Sequence, residues 1–150
     1  MKPEEGISIG VIEERKSIRT FSGRDVPDAM LWDILFAGQR APSPKNRQPW
    51  YFLVSRLGTG RTELIDRMEH TVRTALEQKP ERKDIAMALE SVEILRRAPV
   101  VIFVCYRSGM VEAHDDGVDW SINATDLEAV ELLSVGAAVE NMLLKAEELG

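Results

Sequence analysis

Cysteine is all but missing from this chain. Cys105 stands alone among 150 residues, so no internal disulfide can form. Stability has to come from an apolar core, which a chain of this length can build, and a reducing, cytoplasmic location is expected. Histidine is nearly as scarce, with only His70 and His114. His114-Asp115-Asp116 offers metal-binding atoms, but no second histidine or cysteine stands at ligand spacing, and a solvated loop is the better reading. No apolar run approaches the roughly 20 residues that cross a bilayer. The polar, acidic start Met1-Lys2-Pro3-Glu4-Glu5-Gly6 is unlike a secretory signal. Gly58-Thr59-Gly60 follows an expected strand and precedes an expected helix. Glu63 stands where a dinucleotide fingerprint has its third glycine, so a plain turn is expected. Internal repeats, low-complexity tracts and linkers are missing too, which leaves residues 1–150 as a single domain.

A net charge of −6 disfavours nucleic acid and anionic membranes as partners. The charge is unevenly spread. Residues 15–24 hold Arg15, Lys16, Arg19 and Arg24 with no acid, whereas residues 111–150 hold ten acids against the single base Lys145. A cationic cluster on an acidic chain suits a discrete anionic ligand, not a polyanion.

Apolar periodicity predicts five helices and two strands. A short helix over 8–16 turns Ile9 and Ile12 toward the core. Asp25-Val26-Pro27-Asp28 starts a second helix, with Asp25 as cap and Leu31, Ile34, Leu35 and Gly38 on one face as far as about Gln39. Pro42 and Pro44 end it. Trp50-Tyr51-Phe52-Leu53-Val54-Ser55 reads as a strand. A helix follows with Leu64, Ile65, Met68, Val72 and Leu76 as its stripe, then another over about 82–97 with Ile85, Leu89, Val92 and Leu95. The continuous apolar run Val100-Val101-Ile102-Phe103-Val104-Cys105-Tyr106 predicts a central strand covered on both faces. After a polar loop of about 107–124, a last helix runs from about 125 to 149 with Gly150 as its C-terminal cap. Val135, Val139, Met142, Leu143, Ala146 and Leu149 form one apolar stripe on it, and Leu133, Ala137 and Leu144 a second. A helix with two apolar sides is buried on two sides, the second expected against another subunit. Two strands make a poor sheet, so the chain is expected to be cut short or completed from outside.

Two segments carry chemistry. Arg15, Lys16, Ser17 and Arg19 supply charge-assisted donors and a hydroxyl, the groups a phosphate prefers. On charge alone they read equally well as a solvated basic turn closing a helix. In Pro42-Ser43-Pro44-Lys45-Asn46-Arg47-Gln48-Pro49-Trp50 the prolines stiffen the backbone, and Asn46 and Gln48 suit the polar edge of a heterocycle. The plainer reading is a helix-to-strand connection rich in helix breakers. Trp50 is expected in the core, His70 on the surface, and Cys105 as a small buried apolar side chain.

Three segments taken together resemble the FMN-dependent nitroreductase family. They are Arg15-x-Ser17-x-Arg19-x-Phe21, then Pro42-Ser43-x-x-Asn46-x-Gln48-Pro49-Trp50, then Ser134-Val135-Gly136-Ala137-Ala138-Val139-Glu140-Asn141-Met142-Leu143-Leu144. Their order and spacing suit the family over roughly 7–150. The resemblance implies an α+β fold, a central mainly antiparallel sheet flanked by helices, in an interlocked homodimer with FMN at the interface. It places Arg15 on the FMN phosphate, Lys16 and Ser17 at the phosphate and ribityl end, and Arg19 by the pyrimidine edge. Pro42, Ser43, Pro44 and Asn46 would line the flavin from the other subunit. The implied activity is ping-pong transfer from NADH or NADPH through FMN to a nitroaromatic, quinone or similar acceptor. No catalytic acid, base or metal is implied, because the flavin carries the chemistry. The family continues past the last helix with a strand and a basic tail that these residues lack. The alternative is therefore a non-catalytic flavin-binding or sensing module.

Overall fold

The computed structural model describes residues 9–107 and 124–150. In order they form α1 (Ile9–Glu14), α2 (Asp28–Gln39), a 3-10 turn (Pro44–Asn46), β1 (Trp50–Arg56), α3 (Thr59–Gln78), α4 (Lys83–Arg97), β2 (Val100–Tyr106) and α5 (Ala124–Leu149). All five expected helices and both strands are present. The polar stretch 108–123, with His114-Asp115-Asp116, lies outside the described residues, as does the start of the chain.

β1 and β2 pair in one two-stranded sheet. The Arg107 N–H donates to the Pro49 carbonyl at 2.9 Å, joining the end of β2 to the start of β1, so the strands run antiparallel. The sequence predicts a central strand at 100–106, but β2 buries only Val101 fully and is half-buried elsewhere. A continuous apolar run cannot say whether its cover comes from the same chain, and among the described residues only β1 lies beside it.

Two compact units divide the chain. One comprises Met1–Lys16, Pro27–Leu53 and Val104–Gly150; the other comprises Ser17–Val26 and Val54–Phe103.

The first unit is built on α2 packed against α5. Leu31 and Gly38 are the buried residues of α2. On α5 the buried line is Glu131, Ser134, Ala138 and Met142, spaced three and four residues apart as one helical face requires. Gly38 lets the helices close: a Cβ there would lie 2.8 Å from Met142 Cγ and 2.9 Å from Phe52 Cζ. The Asn141 side-chain amide donates to the Ala37 carbonyl at 3.2 Å, a second tie between the same helices. Ala41, Trp50 and Ala138 form the core here, with Phe52, Val104 and Val135 against them. Trp50 is therefore a core residue, as expected.

The first expected stripe of α5 is only partly right: Met142 is buried and Val135 half-buried, but Leu143 and Ala146 are exposed. Leu133, on the side expected against another subunit, is 74 % exposed in the single chain. The buried face instead passes through an acid and a serine. In α1, Ile12 points outward at 59 % exposure, against expectation, because Val11 is the residue that turns inward.

The second unit is an α3–α4 helix pair with Ile65 and Val92 at its centre. Each such burial contributes roughly 2 kcal/mol. Nothing in the apolar pattern marks Arg61, which is buried. Its guanidinium donates to the carbonyls of Ala98 (2.6 Å), Arg96 (3.1 Å) and Pro99 (3.4 Å), satisfying the open C-terminal end of α4. Arg96 bridges back to Asp66 and Glu69, both at 2.7 Å. The Arg73 guanidinium, and then Arg96, hold the Glu69 carboxyl below its ordinary range.

Asp25 does not cap α2. The residue before the helix is Pro27, which makes no side-chain cap. The Asp25 carboxylate instead accepts from the Val26 N–H at 2.9 Å and pairs with Arg56 at 2.6 Å, while Arg56 also donates to the Val26 carbonyl at 2.8 Å. A long-range cation outcompeted the local cap. Gly150 does close α5, with φ +80° and its N–H on the Glu147 carbonyl.

Candidate functional site

The loop between α2 and β1 is wound tightly. Pro42 is exposed, and Ser43 and Pro44 are half-buried. Pro44–Asn46 makes one 3-10 turn, with the Asn46 N–H on the Ser43 carbonyl at 3.0 Å and the Arg47 N–H on the Pro44 carbonyl at 3.1 Å. The Ser43 hydroxyl accepts from the Gln48 N–H at 2.9 Å, and the Gln48 side-chain amide reaches the Gln39 carbonyl at 3.3 Å. Three non-glycine residues here take left-handed backbone: Lys45 (φ 51°), Asn46 (φ 54°) and Gln48 (φ 49°). Such clustering of strain marks loops that present side chains in a fixed pose. Lys45 and Asn46 face solvent. Of the two polar residues expected to meet a heterocycle, Gln48 is thus engaged in holding the loop, and Asn46 is the one displayed.

Arg47 turns the other way. Its guanidinium is largely buried and lies 3.6 Å from the carboxylate of Glu131, which is 1 % exposed. The other Glu131 oxygen accepts from the Tyr106 hydroxyl at 2.8 Å. At 3.6 Å no hydrogen bond forms, and Arg47 Nη1 and Glu131 Oε1 both remain buried without one. The sequence reading missed this group, counting Glu131 only among the acids of the last segment. Its helical phase with Ala138 and Met142 was the available signal.

The basic segment is split between the units. Arg15 and Lys16 belong to the first, Ser17 and Arg19 to the second. Arg15 follows α1 directly, its N–H still on the Val11 carbonyl, and faces Glu140 of α5 at 3.6 Å, an open and half-solvated pair. Lys16, Ser17 and Arg19 are exposed. Arg19 makes one long contact, 3.4 Å to the Ser17 carbonyl. Among the described residues no carboxylate neutralises Lys16 or Arg19 in an ion pair. The cations are thus available to an anion, and Asn46 is available as donor and acceptor. Charged donors of this kind suit a phosphate, and an amide suits the polar edge of a heterocycle.

A separate groove of about 400 Å³ opens in the first unit between α1, α2 and α5, lined by Val11, Asp33, Phe36, Asn141 and Lys145 among others. Neither the basic segment nor the Pro42–Trp50 loop contributes to it. On the sheet, Tyr51 is exposed, and its phenol is held above the ordinary range by a hydrogen bond with the Cys105 thiol. Cys105 is thus half-buried and in polar contact, not an inert core residue. His70 is on the surface, as expected. Among the described residues no cluster of histidine, cysteine and acids could hold a metal, and no helix is long and apolar enough to cross a membrane.

Comparison with known proteins agrees with this architecture. YfhC of Bacillus subtilis (strain 168), provisionally named a NAD(P)H nitroreductase, is 27% identical over 126 residues, covering 83% of this chain and 61% of YfhC. A crystal structure of a provisionally named nitroreductase from Desulfovibrio desulfuricans, in complex with FMN, superposes with a TM-score of 0.66 at 29% identity, over 97% of this chain and 64% of that one. A BluB-like flavoprotein from Clostridium difficile 630 gives a TM-score of 0.67 at 25% identity, over 94% of this chain and 69% of that one. The chain therefore spans about three-fifths of the length of the first two. The fold is the α+β fold of these proteins. The nitroreductase family model matches residues 12–150, and the chain belongs to the nitroreductase family.

Proposed function

We infer that this chain is an FMN-dependent oxidoreductase that works as a homodimer in the cytosol. It would pass reducing equivalents from NADH or NADPH to a nitroaromatic, quinone or similar small acceptor in two successive half-reactions. The observation that carries this reading is the pair of open cations Lys16 and Arg19, next to an Arg15 held only loosely by Glu140, in a chain of the nitroreductase family. The FMN in the Desulfovibrio desulfuricans structure and the name of YfhC support cofactor and donor.

FMN, when bound, supplies hydride acceptance from a reduced nicotinamide and electron delivery to the acceptor. The chain's own residues then have three tasks. Arg15 and Lys16 hold the phosphate, with the Ser17 hydroxyl as a further donor toward the phosphate and ribityl end. Arg19 would put a cation at the pyrimidine edge, where reduction builds negative charge, and so favour the reduced state. Pro42, Ser43, Pro44 and Asn46, from the partner subunit, form a stiff wall that orients the ring and excludes water.

The test is a visible spectrum of the purified chain after FMN is added, followed by NADH or NADPH without oxygen. Flavin that binds and bleaches is the expected result, and Arg15→Ala should weaken FMN binding by about 1.5–3 kcal/mol, the scale of a hydrogen bond to a charge. Bound flavin that stays oxidised with both donors would make the chain a flavin-binding or sensing module instead. An FMN affinity unchanged by Arg15→Ala would remove the phosphate assignment.

A further inference from the structure

Glu131 has no part in the reading above, yet a buried acid needs a reason. Sequestering a carboxylate costs several kcal/mol unless charge and hydrogen bonds compensate it. Here the compensation is specific and incomplete. Tyr106, at the end of β2, donates one hydrogen bond at 2.8 Å. Arg47 supplies the charge from 3.6 Å, leaving one buried atom on each partner without a hydrogen bond. All three residues lie in the first unit.

Arg47's place in the chain gives this arrangement its meaning. The residue sits between left-handed Asn46 and left-handed Gln48. Its own backbone is ordinary, with φ −69° and ψ −26°. Its side chain points inward while Lys45 and Asn46 are exposed. A loop strained at three positions stays in that pose only if something over-determines it. Ser43 and Gln48 tie the loop's ends. The inward guanidinium, drawn toward a carboxylate on a long helix, is the tie at its crest.

We propose that Glu131 is a positioning residue: from α5 it anchors Arg47, and through Arg47 it fixes the direction in which Asn46 faces the flavin. The assignment rests on the reading that this loop lines FMN. It gives α5 a second task beyond packing on α2, and it makes the loop's pose depend on a charge that FMN never touches.

The experiment uses the full chain with and without FMN. Glu131→Gln keeps the volume and removes the charge. Arg47→Lys keeps the charge and loses the fork, and Glu131→Leu removes both charge and hydrogen bond. Amide exchange at Asn46, Arg47 and Gln48 is followed without FMN, with Ile65 of α3 as the reference amide. In Glu131→Gln the three loop amides should exchange about tenfold faster, and FMN should bind about tenfold more weakly, because Asn46 loses its held pose. Arg47→Lys should restore part of the binding that Arg47→Met loses. Loop amides unchanged in Glu131→Gln overturn the proposal, as does FMN binding within twofold of wild type. If Glu131→Leu does not fold, the Gln and Lys variants still decide. Asn46→Ala separates the two claims. If it leaves FMN binding intact, the loop does not line the flavin and the underlying reading fails. If it weakens binding while Glu131→Gln does not, the reading stands and the role of Glu131 falls.

Discussion

Lys45 is one of the two long side chains that the loop holds in left-handed backbone. An L side chain in left-handed backbone carries roughly 1–2 kcal/mol of strain, and lysine, unlike asparagine, has no short polar side chain to favour that conformation. Lys45→Gly should therefore raise stability by about 0.5–1 kcal/mol after the extra freedom of the unfolded glycine is subtracted. Urea unfolding followed by circular dichroism would show it, and an unchanged or lower midpoint would mean that the left-handed turn is not strained. The sequence did announce a stiff loop, through Pro42 and Pro44, and it named Asn46 and Gln48 as residues to display, of which Gln48 holds the loop instead. It could not announce Lys45, since nothing in lysine favours φ 51°. Glu131 and Arg61 were hidden for a related reason. Charged residues are read as surface by default, and both are buried against partners about 84 and 35 to 38 positions away, as their contacts with Arg47 and with the end of α4 show.

At the scale of elements, the helix crossing at Gly38 leaves no room for a side chain. A side chain there collides with Met142 and Phe52 at once. Gly38→Val should cost about 1–3 kcal/mol by overpacking, on top of a valine's poorer place in a helix. Met142→Ala alone opens a cavity and should cost about 2–5 kcal/mol. The double variant should be more stable than the sum of the two predicts, by at least about 0.5 kcal/mol. Strict additivity in denaturant titrations would mean that the two side chains do not share this space. Helices and strands were legible here because apolar periodicity is local, and Leu31, Gly38, Ile65 and Val92 all lie on the faces that it selects. The start of α2 was not, because Arg56, 31 residues away, decides what Asp25 does.

For the whole molecule, the exposed apolar surface asks for a cover. Trp32 and Phe36 on α2 and Leu132 and Leu133 on α5 are all largely solvent-facing, too many to be scattered accidents. A second copy is the occupant that the proposed dimer supplies. Sedimentation equilibrium should find a dimer at micromolar concentration. Leu133→Glu should shift it to monomer with unchanged far-ultraviolet dichroism, and a monomeric wild type would end the dimer reading. The sequence showed that α5 has more than one apolar side but not that the buried line runs through Glu131 and Ser134, which are polar. The connectivity of the two units also orders events in time. The α3–α4 pair is contiguous, whereas the Asn141–Ala37 tie spans 104 positions. As a ribosome extrudes the chain, α3 and α4 can meet as soon as both have emerged, while α2 must wait for the last helix to be synthesised. For that interval the apolar face of α2 is uncovered, and the nascent chain is then most exposed to chaperones, proteases and neighbouring copies of itself.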